Sequence, residues 1–254
     1  WSSDVCSSDL ILIRMNIVIT SGGTTEPIDT VRSIQNTSTG RLGATIASTF
    51  DSALAGMPHK IFYICAENTA RPSQSAHITA LTFRTVADLQ ERLRSVCVEH
   101  RVAAIVHAAA VSDYRVAKVA LWDTVHSATD AGAISDLREQ YEGGKLPSTL
   151  DYLVLCMERT PKIIAELRTL SPQAVIIGFK LLDSVPHDEL ISVAQGVLCA
   201  NRCDFVLAND ASQIHGEQHT GYLIDAHGTE TQFSTKQEIA QGIVKAVLER
   251  RQAE

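Results

Sequence analysis

Two turns of small residues, Ser21-Gly22-Gly23-Thr24 and Asn36-Thr37-Ser38-Thr39-Gly40, stand near the start of the chain with Thr25 to Gln35 between them. The first follows a β-branched run, so its backbone N–H groups lie at a strand end. The second offers hydroxyls and N–H groups at the start of a helix, where the backbone dipole favours an anion. Read together, Gly22, Gly23, Thr24, Ser38, Gly40 and Arg41 form the two sides of one anion site. Pro27 stiffens the connection, and Arg32 or Arg41 can add charge. Asn36 carries one acceptor and two donors, which suits the orientation of a polar acyl group better than a bare phosphate.

Two other chemistries compete for these residues. A dinucleotide-dependent reductase would explain a glycine turn after a strand, the run His107-Ala-Ala-Ala110 and the pair Tyr114 and Lys118. Against it, G-x-G-x-x-G is absent, the helix starts too late, and the Tyr–Lys pair follows Ala110 too closely. A hydrolytic metal site is suggested by His215-Gly-Glu-Gln-His219, but Gly216 weakens any helix that would bring both rings to one face. A solvent-exposed polar loop is the better expectation there. The six cysteines, Cys6, Cys65, Cys97, Cys156, Cys199 and Cys203, are scattered and mostly set in apolar runs. They read as core residues in a reducing compartment, cytoplasmic by expectation, and not as disulfides or metal ligands.

The elements that must hold these residues alternate. Asn16 to Thr20, Lys60 to Ala66, His77 to Phe83, Ala103 to Ala110, Ala174 to Phe179 and Asp204 to Ala208 read as strands. Leu42 to Ala55, Val86 to His100, Thr160 to Leu170 and His187 to Arg202 read as helices. A hairpin at Gly221 to Asp225 and Thr229 to Phe233 and a last helix from Thr235 to Arg251 close the chain. The expectation is an α/β, Rossmann-like fold, a mostly parallel sheet with helices on both faces. Its ligands bind beyond the carboxyl ends of the strands. Residues 112–158 break the alternation and read as an excursion, a flexible lid followed by a strand pairing outside the main sheet.

With 254 residues, 45% apolar, 20% charged and a formal charge of -7, the composition is that of a globular protein without a broad basic surface for nucleic acid. No apolar run is long enough to span a membrane. Residues 1–14, Ser/Asp-rich and lacking a basic start, read as a non-native appendage rather than a secretory signal, with residues 15–254 as a single domain.

Five blocks in order carry a resemblance. They are Gly22-Gly-Thr-Thr-Glu-Pro-Ile-Asp29 with Val31, Arg32, Ile34, Asn36, Ser38, Gly40 and Gly43; Ala108-Ala-Ala-Val-Ser-Asp-Tyr114; Gly144-Lys-Leu-Pro-Ser148; Thr160-Pro-Lys-Ile-Ile164 with Gly178-Phe-Lys-Leu-Leu182; and Ala208-Asn-Asp210. From Met15 to about Leu248 the chain resembles phosphopantothenoylcysteine synthetase, the phosphopantothenate–cysteine ligase of coenzyme A synthesis, in its stand-alone bacterial form. The resemblance implies joining of 4'-phosphopantothenate to L-cysteine through an acyl-cytidylate, with CTP as co-substrate, Mg2+ on the triphosphate, and release of pyrophosphate and CMP. It implies that Asn36 holds the acyl intermediate and that His107, Ala108 and Ala109 line the nucleotide pocket through backbone groups. Asp113 would accept hydrogen bonds from the nucleotide, and Lys145 would close on the phosphates. Pro161, Lys162, Ile163 and Ile164 would contact the nucleotide, with Phe179 near its base or ribose. It also implies a homodimer whose contact falls near Thr149 to Cys156. Lysines found in some members are absent here, at Val197 and Asn201. A non-catalytic nucleotide-binding homologue is the remaining alternative.

Overall fold

The computed structural model describes residues 14–121, 144–146 and 152–253. Residues 1–13, and with them most of the expected appendage, lie outside the described residues, as do Gly132, Gly143 and residues 147–151 of the excursion. In chain order the strands are β1 (Met15–Ser21), β2 (Thr25–Pro27), β3 (Ser33–Gln35), β4 (His59–Ala66), β5 (Ile78–Phe83), β6 (Val102–His107), β7 (Tyr114–Leu121), β8 (Leu153–Arg159), β9 (Val175–Leu182), β10 (Phe205–His215), β11 (Gln218–Asp225) and β12 (Glu230–Thr235). The helices are α1 (Arg41–Ala53), α2 (Val86–Glu99), α3 (Ile163–Leu170), α4 (His187–Asn201) and α5 (Lys236–Gln252).

Eight strands form one sheet in the order β12-β11-β10-β9-β6-β1-β4-β5. From β5 to β10 the pairings are parallel; β10–β11 and β11–β12 are antiparallel. The central strands are buried on both faces, so they read as continuous β-branched runs rather than alternating ones. Val18, Ile64, Ile105, Ile176 and Val206 pack with Leu89 and Leu93 of α2, Leu167 of α3 and Leu190 of α4. On the other face, Ile17, Ile19, Tyr63, Val106 and Ile177 meet Ile46 and Phe50 of α1 and Ile239 and Ile243 of α5. The Rossmann-like expectation is met, with β4, β9 and α4 within a few residues of their expected bounds.

Three features depart from the expectation. Thr24 to Gln35 is not a plain connection: β2 and β3 pair antiparallel as a small hairpin. The excursion contains a strand, β7, which pairs antiparallel with β8 in a separate two-stranded ribbon. The strand outside the main sheet is therefore present, while the lid falls largely on residues outside those described. The third helix begins at Ile163, because Lys162 before it is extended. Cys65 and Cys203 are buried, but Cys199 is exposed on α4, correcting its reading as a core residue.

Polar anchors fix the hairpin. Glu26, 5% exposed, accepts from the N–H of Val86 at 2.7 Å, and Thr25 N–H donates to Arg84 O at 2.7 Å. That ties the hairpin to the start of α2, itself closed by a reciprocal capping box between Thr85 and Asp88. The two small-residue turns then meet. A Cβ placed on Gly23 would lie 1.8 Å from the carbonyl oxygen of Asn36. Ser21 Oγ donates to Gly40 O at 3.1 Å, and Gly40 takes a left-handed φ of 68° just before α1.

Two histidines are buried in the sheet without charge. His107, at the end of β6, is buried, and burial pushes its pKa down to about 4. His219 on β11 is held at about 4 by burial and by the charge of Lys236.

Gly23→Ala is expected to destabilise the fold by at least about 1–3 kcal/mol, because the obstructing atom is backbone and cannot rotate away; urea unfolding of the variant against the parent checks this. The histidines predict a pH dependence of definite sign. Both folded pKa values lie below the unfolded value, so their stability contribution is complete above about pH 6.5 and is lost as pH falls toward about 4. Each histidine should contribute a slope of about 1.4 kcal/mol per pH unit inside that window. Unfolding midpoints measured from pH 7 to 4.5 should fall, and a flat profile would contradict the neutral assignment.

Candidate functional site

The carboxyl ends of β1 and β6 are stitched together by backbone groups. Ala108 N–H donates to Thr20 O at 3.2 Å, Ala109 N–H to the Thr20 hydroxyl at 3.2 Å, and Ala110 N–H to Gly22 O at 2.9 Å. The Thr20 hydroxyl also meets His107 Nδ1 at 2.9 Å. The N–H groups of Ala108 and Ala109 are thus already engaged, so only their carbonyls can line a pocket as the sequence reading required. Thr24 is likewise structural. It is fully buried, donates its N–H to Ala110 O, and accepts the N–H of Ser112 on its hydroxyl at 2.9 Å. Its expected contact with a substrate phosphate is therefore corrected to a role in holding the turn.

On the rim above this stitch stands Asn36, half-buried just after β3. Its N–H donates to Thr24 O at 3.0 Å, while its side-chain amide makes no hydrogen bond to any described residue. Ser38 and Gly40 follow it into α1, whose first turn has no acidic residue and no side-chain cap. Arg41 is exposed as the first residue of that helix. Gly22 and Gly23 are buried beneath these groups, Gly22 at φ 87°. The structure therefore brings Gly22, Gly23, Asn36, Ser38, Gly40 and Arg41 to one corner, with open N–H groups at a helix start.

A second group sits across the rim. Asp113 and Lys162 form an ion pair at 2.5 Å with both side chains more than half exposed. Exposed pairs add little stability, so this one is not explained by folding. Thr160 holds the two segments together, its N–H to Asp113 O at 3.0 Å and its hydroxyl to Ser112 O at 2.5 Å. Pro161 is exposed beside them. Ile163 is 2% exposed within the core, and Ile164 packs against it and against Gly178. Both isoleucine side chains are thus corrected to core roles; only the backbone at the start of α3 faces the rim. Phe179 on β9 is half-buried against the α1/α5 layer, a core aromatic with one partly open edge.

Lys145 is exposed and placed by its neighbour. Leu146, 1% exposed, donates its N–H to Asp29 Oδ2 at 3.0 Å, and its carbonyl accepts from Arg32 Nη2 at 3.4 Å. Asp29 also accepts from the N–H groups of Val31 at 2.8 Å and Arg32 at 2.6 Å. Burial alone would raise the Asp29 carboxyl, but these donors and the Arg32 charge hold it below the usual carboxylate value. Arg32 is therefore engaged with Asp29 and Leu146 rather than free for an anion. Asp29 is a residue whose role sequence reasoning missed; its signal was the Asx-turn spacing to Val31.

Competing readings lose their geometry. Tyr114 and Lys118 lie on β7 of the ribbon, not on a helix beside a cofactor turn. His215 and His219 face opposite sides of the β10–β11 hairpin, where Ile214 pairs with His219 and His215 with Gln218. His219 is buried and bonded to Asn209 at 3.0 Å, so this is not the exposed loop expected. Asp210 of the Ala208-Asn-Asp210 block holds the turn after β9, accepting from the N–H groups of Ser184 and Val185 at 2.9 and 3.0 Å. Asn201 donates to Val197 O within α4, and Val197 packs against the core. The thiols of Cys65, Cys97 and Cys203 are pushed up by burial, which removes them as thiolate nucleophiles. A groove of about 690 Å³ runs along α1 and α5 away from the rim. A smaller cleft of about 370 Å³, reaching Pro161, opens between the hairpin, α2 and the ribbon. No described helix is long and apolar enough to cross a membrane.

Comparison with known proteins agrees with this architecture. The chain is 28% identical over 91% of its length to the coenzyme A biosynthesis bifunctional protein CoaBC of Methanocaldococcus jannaschii, of which the match covers 50%. The chain thus spans about half the length of the curated relatives it matches. A solved structure of the DNA/pantothenate metabolism flavoprotein from Streptococcus pneumoniae is 32% identical, with a TM-score of 0.80 over 94% of this chain and 99% of that one. The fold is also shared with a Cab2 point mutant in complex with phosphopantothenate-cysteine, at 18% identity and a TM-score of 0.68 over 94% and 87% of the two chains. A family model matches residues 12–250, and the chain belongs to the family it describes, the DNA/pantothenate metabolism flavoprotein C-terminal domain.

Proposed function

We propose that this chain is a phosphopantothenate–cysteine ligase of coenzyme A biosynthesis. Family membership and the CoaBC relatives support the class. The observation that carries it further is the Asn36 corner: an amide with no described partner beside a helix start with open N–H groups. In this reading the phosphate of 4'-phosphopantothenate is held by Gly22, Gly23, Ser38, Gly40 and Arg41 at the start of α1. The substrate carboxylate attacks the α-phosphate of CTP, giving an acyl-cytidylate and pyrophosphate. The L-cysteine amine then attacks the acyl carbon and expels CMP. Asn36 orients the acyl group for that second attack. No protein nucleophile is needed, and catalysis is positioning with electrostatics.

The nucleotide lies toward Asp113, Lys162 and the start of α3, past the carbonyls of Ala108 and Ala109, with Lys145 reaching its phosphates. His107 acts from beneath as a neutral, buried support rather than as an acid or base. Phe179 offers the base or ribose at most its open edge. Mg2+, when bound, neutralises triphosphate charge so that pyrophosphate can leave. The described rim fits an ion carried by the nucleotide, since Asp113 is paired with Lys162 and Asp29 with backbone donors. The ribbon, with Leu153 and Met157 exposed, is the surface proposed to meet a second copy in a homodimer.

The reading is tested by assaying pyrophosphate and CMP with CTP or ATP, 4'-phosphopantothenate, and L-cysteine present or omitted. Pyrophosphate should depend on phosphopantothenate and CMP on cysteine; absence of a cysteine-dependent product with either nucleotide would reject the ligase and leave a nucleotide-binding homologue. Asn36→Ala should lower product formation by about 10²–10³-fold while leaving CTP affinity nearly intact. Equal loss of both, by turnover assay and calorimetric titration, would remove the assigned role.

A further inference from the structure

At the opposite edge of the sheet, where the strands begin, three potential metal ligands converge. His59 opens β4, Asp51 lies near the end of α1, and His77 immediately precedes β5. Their nearest donor atoms all lie within 4.8 Å of one another, and among the described residues no other such group of three occurs. The His59 side chain is 1% exposed and that of Asp51 24%.

The hydrogen bonds of His59 set the problem. Its Nδ1 lies 2.9 Å from Met57 O, which can only accept, so Nδ1 carries a proton. Its Nε2 then lies 2.9 Å from Asp51 Oδ1, also an acceptor. At that separation a proton bridges the two atoms, and a metal ion about 2 Å from each would replace that proton and part them to about 3.3 Å. The His77 ring stacks on His59 with centroids 4.2 Å apart and planes 30° apart, which brings a third donor within 4.8 Å of the other two. An imidazole whose far nitrogen donates to a backbone carbonyl has its tautomer fixed for metal ligation.

We propose that Asp51, His59 and His77 bind one divalent transition-metal ion of the zinc class. Two imidazoles and one carboxylate suit zinc, and three protein ligands leave a fourth position for water. The buried His59 and the helix-borne Asp51 are the fixed side of the site. The exposed His77 supplies the entry path, and its ring turns out of the stack to direct a nitrogen at the ion. Its backbone stays in place, since its carbonyl accepts from Ile61 N–H at 2.8 Å. The ion would join α1, β4 and the crossover into β5 at the end of the sheet remote from the rim, so its occupancy is separable from ligase turnover.

The test uses the full chain, stripped with a chelator and titrated with Co2+, then Zn2+. The expected result is a visible tetrahedral cobalt band that saturates at one ion per chain and is displaced by zinc. His77→Gln and Asp51→Asn should each lower the cobalt affinity by more than about tenfold with unchanged far-ultraviolet circular dichroism. Zinc should raise the thermal midpoint of the parent and not of His77→Gln, because the ion binds the native chain. Absence of the band, or a band that survives both substitutions and so comes from others of the nine histidines, overturns the proposal.

Discussion

The carboxyl edge of the sheet depends on how closely the backbone at Gly23 approaches the carbonyl of Asn36. With no side chain at Gly23, the turn after β1 and the segment before α1 lie in direct contact, and Thr24 O can accept the Asn36 N–H at 3.0 Å. A side chain there would force them apart by more than an ångström. The amide of Asn36, the start of α1 and the stitch from β1 to β6 are all positioned relative to that seam. Glycine is required by close approach here, whereas at Gly40 it is required by a positive φ as well. The distinction matters because close approach fixes a distance between two segments, while a positive φ fixes only a local direction.

Buried carboxylates do the complementary work of holding loops that lack regular pairing. Glu26 caps the start of α2, Asp29 gathers three backbone N–H groups from two distant segments, and Asp210 gathers those of the turn after β9. The Val86 N–H that Glu26 satisfies would otherwise be buried unpaired at a cost of about 1–3 kcal/mol, while the donors to Asp29 and Asp210 are part-buried or exposed. A carboxylate accepting several N–H groups is held ionised, which is why Asp29 and Asp210 both lie below the ordinary value. These acids are therefore poor candidates for proton transfer. By contrast Asp113 is exposed and paired with an equally exposed Lys162, a geometry that leaves both able to exchange partners for a ligand.

The parts of this architecture legible in the sequence are those set by local pattern. The runs around Ile17 to Thr20, Ile61 to Cys65 and Val175 to Ile177 are β-branched and bounded by turns, so their burial as central strands follows from composition. Helices α1, α2 and α5 announce themselves by apolar spacing and by Thr85 and Thr235 as caps. What escaped is set by non-local pairing. β2 and β3 are three residues each, too short for alternation and interrupted by Pro27. β7 mixes Arg115 and Lys118 with valines and has its partner β8 far along the chain. At the site, motif position identified the right neighbourhood but not which way side chains turn. Ile163 and Thr24 share their segments with rim residues yet point into the core, and only tertiary packing decides that.

Charge presents the remaining constraint, and distance resolves it. The chain carries a formal -7, while the proposed substrates and nucleotide are anions, so the molecule's average field opposes their approach. At physiological ionic strength that field is screened over about 8 Å. A bound phosphate therefore responds to groups at the rim rather than to acids on remote faces. Arg41, Lys145 and Lys162 are all exposed there, and the start of α1 adds oriented N–H groups without an acidic neighbour in its first turn. Glu26 and Asp29 of the neighbouring hairpin are already committed to backbone donors that offset their charge. Carboxylates of the hairpin thus serve to build the loops, while Arg41, Lys145 and the start of α1 stay open for the anion proposed above.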